Sequence, residues 1–143
     1  MQVREAMSTP VQITLPNHTI QQAAQLMLEV DSGVLPVGHK DRLVGMITDR
    51  DIALRAVAGG KGPQTPVRDV MTDEVMYCFD DEDIEHVAHN MGELQLRRLP
   101  VVNREKELVG ILSLGDVATL HGSGAAGIAL GDISQPGGKH THI

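Results

Sequence analysis

Aromatic residues are almost missing from this chain: one Tyr, one Phe and no Trp in 143 residues. Val, Ile, Leu, Ala and Met must therefore do the packing, and the 41% of apolar residues is enough for a buried core. Cysteine is nearly absent too. With Cys78 alone, no intramolecular disulfide and no Cys-based zinc site can form within one chain, and a reducing compartment is expected. Basic residues are in the minority, 12 Lys and Arg against 19 Asp and Glu, for a formal net charge of −7. That argues against a nucleic-acid binder, which needs a basic stripe for phosphates, and against docking on an anionic membrane. No run approaches the length of a membrane span, and Met1 to Met7 has no apolar stretch that could serve as a signal peptide. The expectation is a soluble, cytoplasmic protein.

What the chain does have is a copy of itself. Shifted by 64 positions, Val3-Arg4 falls on Val67-Arg68, Met7 on Met71 and Val11 on Val75. Ile20, Ala24, Met27 and Glu29 fall on Ile84, Ala88, Met91 and Glu93, and Leu35-Pro36-Val37 on Leu99-Pro100-Val101. After one extra residue in the second copy, Leu43-Val44-Gly45 matches Leu108-Val109-Gly110 and Asp51 matches Asp116. The expected organisation is a first repeat within 1–57, a Gly/Pro-rich linker at 58–66, a second repeat at 67–121, and a partly flexible tail at 122–143.

Each copy reads as strand, helix, strand, strand, helix, so the fold class is α/β with two βαββα repeats. Val11 to Leu15 is an expected short strand. Thr19 caps a helix, with Gln22 completing the capping box. Ile20, Ala23, Ala24, Met27 and Leu28 follow as a buried face. In the second copy Asp83 is the cap, and Ile84, Val87, Ala88 and Met91 form the face. Val34 to Val37 and Leu43 to Ile47 are the next strands, and the last helix starts at Thr48; Leu108 to Leu112 and a helix from Ser113 repeat the pattern. One copy cannot cover its own sheet, so two copies packed with approximate two-fold symmetry are expected, with equivalent clefts where they meet.

A Gly-x-x-(Thr/Ser)-x-x-Asp unit closes the third strand of each copy: Gly45 through Thr48 to Asp51, and Gly110 through Ser113 to Asp116. It has two readings. A Thr or Ser followed three residues later by an acid is a helix capping box. A carboxylate there can also accept hydrogen bonds from two vicinal hydroxyls, and the free N–H groups at a helix start favour phosphate. Ribose with phosphate uses both. The identical spacing in both copies favours the ligand reading.

At these residues the sequence resembles the CBS (cystathionine-β-synthase-type) family, over about residues 3 to 121, and the small stand-alone bacterial CBS-pair proteins in particular. The motifs that carry the resemblance are Met7 to Val11, Val34 to Val37 and Leu43 to Ile52, then Met71 to Val75, Arg98 to Val102 and Leu108 to Val117. The resemblance implies a regulatory module that binds an adenosine-containing ligand: AMP, ADP or ATP, with NAD or S-adenosylmethionine as alternatives. It implies ribose at Asp51 and Asp116, with Thr48 and Ser113 beside ribose or phosphate. The base would lie against Thr9 to Val11 and Val34-Pro36, and in the second copy against Asp73 to Val75 and Arg98-Pro100. Arg50, Arg97 and Arg98 are the candidates for phosphate. Pro36 and Pro100 also read as strand-positioning residues, and Arg97 and Arg98 as a solvated strand start. Arg50 has no counterpart at Gly115, so the first copy is expected to prefer phosphorylated ligands.

No nucleophile with a base partner is visible, so no enzyme, required cofactor or metal site is expected. A structural dimerisation module with empty clefts is the alternative function. A homodimer is expected from the apolar residues of the last helices, Ile52, Ala53, Ala56 and Val57, then Val117, Ala118 and Leu120. The regulated partner is not named by the sequence. Gly122 to Gly127 spells G-x-G-x-x-G without the βαβ unit that motif needs, and reads as a flexible joint. Ile128, Ala129, Leu130 and Ile133 are expected to form a turn or two that packs on the module. His86 and His89 read as an exposed helix face, Asp80 to Asp83 as a cap, and Cys78 as a small core residue.

Overall fold

The computed structural model describes residues 1–120 and 123–134. Among them α1 spans Ile20–Val30, β1 Val34–His39, β2 Arg42–Thr48 and α2 Asp49–Asp51, which continues as a π-helical segment over Ile52–Val57. Then come β3 at Cys78–Phe79, α3 at Ile84–Leu94, β4 at Arg98–Val102, β5 at Leu108–Ser113, α4 at Leu114–Leu120 and α5 at Ser123–Ile133. The architecture is mixed α/β, repeated. No helix of the described residues is long and apolar enough to cross a membrane.

The chain forms two compact units, one of residues 12–75 and one of Met1–Val11 with the described residues from Met76 onward. The units therefore do not follow the sequence repeats: the opening segment of each copy packs in the unit of the other. The backbone shows why. Val3 and Arg4 donate their N–H groups to the carbonyls of Glu82 and Asp80, both at 2.9 Å, and Ile84 N–H donates to Met1 O at 3.0 Å. The same three bonds recur between Val67, Arg68 and Ile20 and the carbonyls of His18, Pro16 and Thr65, at 2.8, 3.0 and 2.9 Å. A short 3-10 turn has donors its own helix cannot satisfy, and these carbonyls take them.

In the unit of residues 12–75, β1 pairs antiparallel with β2. Thr14 bridges Val37 in parallel on the outer edge of β1, and Thr72 bridges Met46 antiparallel on the outer edge of β2. In the other unit β3 pairs parallel with β4 and β4 antiparallel with β5, and Ser8 bridges Ile111. The order is thus the same in both. The expected strand Val11 to Leu15 shrinks to the single bridge at Thr14, because Pro16 follows at once and has no N–H to extend a ladder.

Capping and packing follow the residues. Thr19 Oγ1 accepts from Gln22 N–H at 3.1 Å and Gln22 Oε1 accepts from Thr19 N–H at 2.9 Å. Asp83 Oδ2 accepts from Glu85 and His86 N–H. Ile84, Val87, Ala88 and Met91 are all buried, as their spacing predicts. On α1 the buried stripe is narrower than expected. Ile20, Ala23 and Met27 are buried, with Leu26 and Val30 partly so, while Ala24 is exposed and Leu28 is 84% exposed.

From Ser123 on, the glycine-rich segment read as a joint is part of helix α5. Ala129 and Ile133 are buried. A Cβ on Gly92 of α3 would stand 3.1 Å from the Ala129 Cα, so two small residues let α3 and α5 come close. That packing outweighs the cost of glycine within a helix, about 1 kcal/mol each. Gln95 Nε2 donates to Asp132 O at 3.0 Å and ties the same two helices. His121, Gly122 and residues 135–143, with His140 and His142, lie outside the described residues.

Candidate functional site

Thr48 ends β2 and caps α2. Its backbone N–H donates to Asp51 Oδ2 at 3.0 Å, and its Oγ1 accepts from Asp51 N–H at 3.0 Å. Ser113 and Asp116 repeat the pair, Ser113 N–H to Asp116 Oδ2 at 3.0 Å and Asp116 N–H to Ser113 Oγ at 3.0 Å. Both expected capping boxes are therefore formed. Each cap uses Oδ2, and a carboxylate has further lone pairs, so capping and ligand binding do not compete.

The two acids sit in different surroundings. Asp51 is buried, 4% exposed. A buried carboxylate needs a partner, and Arg55 Nε lies 3.7 Å from its Oδ1, one helical turn on. The Arg55 guanidinium also donates to Val70 O at 3.4 Å. Asp116 is half-buried and has no ion-pair partner among the described residues. Its i+4 position is Leu120.

The expected residues fall into two groups. Val34 is the ladder partner of Thr48, and Pro36 of Met46. Arg98 is the partner of Ser113, and Pro100 of Ile111. Pro36 and Pro100 are buried, Val34 is half-buried, and Arg50, Arg97 and Arg98 are exposed. The opening segments are exchanged relative to the sequence grouping. Asp73 and Val75 belong to the unit that holds Thr48 and Asp51, and Thr9 and Val11 to the unit that holds Ser113 and Asp116. The bridges Thr72 to Met46 and Ser8 to Ile111 put them there.

Sequence reasoning did not find three participants. Arg55 lies four residues after Asp51, a helical spacing that marks an ion pair and was legible. Asp49 and Gly33 were not. Asp49 N–H donates to Gly33 O at 2.9 Å, and the Asp49 carboxylate lies so close that a Cβ on Gly33 would stand 2.6 Å from Oδ2. Nothing in their spacing shows this contact.

The residues outside this site keep to structural surroundings. His86 and His89 are exposed, with His89 Nε2 3.2 Å from Glu93 Oε1. Among the described residues no group of three or more His, Cys, Asp or Glu side chains is placed to hold a metal ion. Arg104 makes a two-pronged pair with Asp81, at 2.8 and 2.7 Å, and lies 4.1 Å over the Phe79 ring.

Comparison with known proteins gives the context. The CBS domain family model matches residues 3–57 and 67–121. The CBS domain-containing protein YhcV of Bacillus subtilis (strain 168) is 44% identical over 134 residues, which cover 93% of this chain and 95% of that protein. The CBS domain pair of protein MJ0100, in complex with 5′-methylthioadenosine and S-adenosyl-L-methionine, is 31% identical with a TM-score of 0.73, over 85% of this chain and 95% of that one. CBSX2 in complex with AMP is 27% identical with a TM-score of 0.72, over 84% and 95% of the two chains.

Proposed function

The chain belongs to the CBS domain family and carries two of its domains, and from that premise we propose that it is a regulatory module binding adenosine-containing ligands, without catalytic activity of its own. The observation that carries the reading is the doubled carboxylate site. Asp51 and Asp116 each stand at a strand's carboxyl end, held by one oxygen to the backbone of Thr48 or Ser113. A fixed carboxylate of this kind accepts from the two ribose hydroxyls without reorganising, and charged acceptors make the stronger hydrogen bonds. Relatives of the same fold bind AMP and S-adenosyl-L-methionine, which share that ribose.

Around each carboxylate the roles follow the ladder. Thr48 and Ser113 orient it. Val34 and Pro36, then Arg98 and Pro100, line the strand beside it, with Asp73 and Val75 and with Thr9 and Val11 on the opening segments. Arg50, Arg97 and Arg98 are the exposed cations beside these strands.

The module acts in the cytoplasm as a homodimer and reports ligand occupancy to a protein partner. Leu54 and Val57 after Thr48, and Leu120 after Ser113, are large apolar side chains left exposed, which supports self-association. Ala56 and Val117, expected to contribute, are fully buried within their own units.

A thermal-shift series with AMP, ADP, ATP, NAD and S-adenosylmethionine tests the reading. A ligand that binds only the folded state raises the melting temperature with its concentration. At least one of these should do so; no shift with any of them at millimolar concentration contradicts it.

A further inference from the structure

The two copies build the same Thr/Ser–Asp frame and then surround it with different charge. Four corresponding positions carry the contrast: Gly33, Val34, Asp49 and Arg50 in the first copy, and Arg97, Arg98, Leu114 and Gly115 in the second. A fifth, Arg55 against Leu120, adds a cation to the first copy, but that cation is paired with Asp51 at 3.7 Å.

The ladder fixes what stands beside each hydroxyl. Val34 is paired with Thr48, and Arg98 with Ser113. Residues paired across an antiparallel ladder present their side chains to the same face. The first copy therefore sets a valine side chain across from its hydroxyl residue, and the second an arginine side chain.

One residue earlier the contrast repeats. Gly33 O accepts from Asp49 N–H at 2.9 Å, and Arg97 O accepts from Leu114 N–H at 3.0 Å, so the backbone is the same. In the first copy the Asp49 carboxylate occupies the space over Gly33, where a Cβ would meet Oδ2 at 2.6 Å. A side chain at position 33 would have to displace the Asp49 carboxylate. In the second copy Leu114 brings no charge and Arg97 carries a full side chain.

Arg50 is the first copy's single cation among the four, and its backbone N–H is bound to Asp49 Oδ1 at 2.8 Å. It works next to an anion. Arg97 and Arg98 are exposed, and neither has an ion-pair partner among the described residues. An unpaired guanidinium suits a phosphate, which it binds with two parallel, charge-assisted hydrogen bonds.

We propose that the two sites are sorted by ligand charge: the site of Ser113 and Asp116 takes the phosphorylated nucleotide, and the site of Thr48 and Asp51 takes an uncharged nucleoside. This reverses the expectation drawn from Arg50 alone. It rests on the reading of both carboxylates as ribose sites. The module then responds to two chemically distinct ligands at once, one per copy.

The test is calorimetric titration of AMP and of adenosine into three folded proteins: wild type, Asp51→Asn and Asp116→Asn. Weakening one site leaves the other to be read. The Asp51→Asn protein should bind AMP at least about tenfold more tightly than adenosine, and added NaCl should shrink that preference, since exposed charges are screened. The Asp116→Asn protein should bind adenosine at least as well as AMP. In the Asp51→Asn background, Arg97→Gly with Arg98→Val should bring the AMP-to-adenosine ratio close to one while adenosine binding persists. In the Asp116→Asn background, Val34→Arg should raise it. An AMP preference found in the Asp116→Asn protein, or one that survives loss of both arginines, overturns the proposal. If instead Asp51→Asn with Asp116→Asn binds both ligands as wild type does, the ribose assignment itself fails, a result distinct from equal charge preference at two intact sites.

Discussion

The Met7 thioether takes the place of a side chain on Gly110, with Sδ 2.7 Å from where a Cβ would stand. Met71 does the same at Gly45, at 2.6 Å. The absent side chains of β2 and β5 are what admit the exchanged opening segments. A substitution there should loosen the seam. Gly45→Ala should cost about 1–3 kcal/mol, the range for overpacking, and Gly110→Ala less. A methionine can swing away, but a backbone carbonyl cannot, and the Thr72 carbonyl lies 2.9 Å from the Gly45 position against 3.1 Å for Ser8 at Gly110. Urea denaturation of both variants gives the order; a neutral Gly45→Ala contradicts it.

Thr14 carries a buried hydroxyl with no hydrogen-bond partner among the described residues, in a residue only 2% exposed. Its counterpart in the second copy is Cys78, which is buried in an apolar cluster. An unmet buried hydroxyl is costly, so Thr14→Val should stabilise the protein by roughly 1 kcal/mol. The melting temperature should rise by several degrees. An unchanged or lower one refutes the assignment.

Cys78 is 3% exposed, and burial pushes its thiol up to about 12, with Glu82 and Asp80 adding to the effect. The unfolded thiol ionises near its ordinary value of 9.0. Between about 9 and about 12 the unfolded chain therefore holds fewer protons than the folded one, and stability falls as pH rises through that window. A thiol reagent should label native Cys78 slowly at neutral pH and quickly in guanidinium, and Cys78→Ala should flatten the alkaline loss. Rapid labelling of the native protein contradicts this placement.

Much of this was legible in the sequence, and the reason is duplication. A capping box or a run of apolar residues is weak when seen once. Thr48 with Asp51 and Ser113 with Asp116 gained weight by recurring at one spacing. The helical face of α3 was read correctly because Ile84, Val87, Ala88 and Met91 leave no other apolar stripe on that helix. On α1 the apolar residues cover more than one face, so periodicity alone could not say that Leu28 turns outward. The turns of α5 over Ile128 to Ile133 were expected from their apolar residues, but its first half was not, because glycine reads locally as a breaker, while the place of the helix is set by contact with Gly92, far off in sequence. The exchange of opening segments is a long-range choice of backbone partners, Val3 for Glu82 and Val67 for His18, that no local pattern records. The same holds for Asp49 over Gly33.

The central claim is that Asp51 and Asp116 hold ribose, and calorimetric titration of AMP into wild type and into Asp51→Asn with Asp116→Asn tests it most directly. Asparagine keeps the size and much of the cap but removes the charge. Losing a carboxylate that accepts from two ribose hydroxyls should cost about 2–4 kcal/mol at the AMP-binding site, from about 1.5–3 kcal/mol per charged hydrogen bond before relaxation. That is about thirty- to eight-hundred-fold in affinity. The prediction is a folded double variant whose AMP affinity has fallen by at least that lower factor. A folded double variant that binds AMP as tightly as wild type would contradict the account.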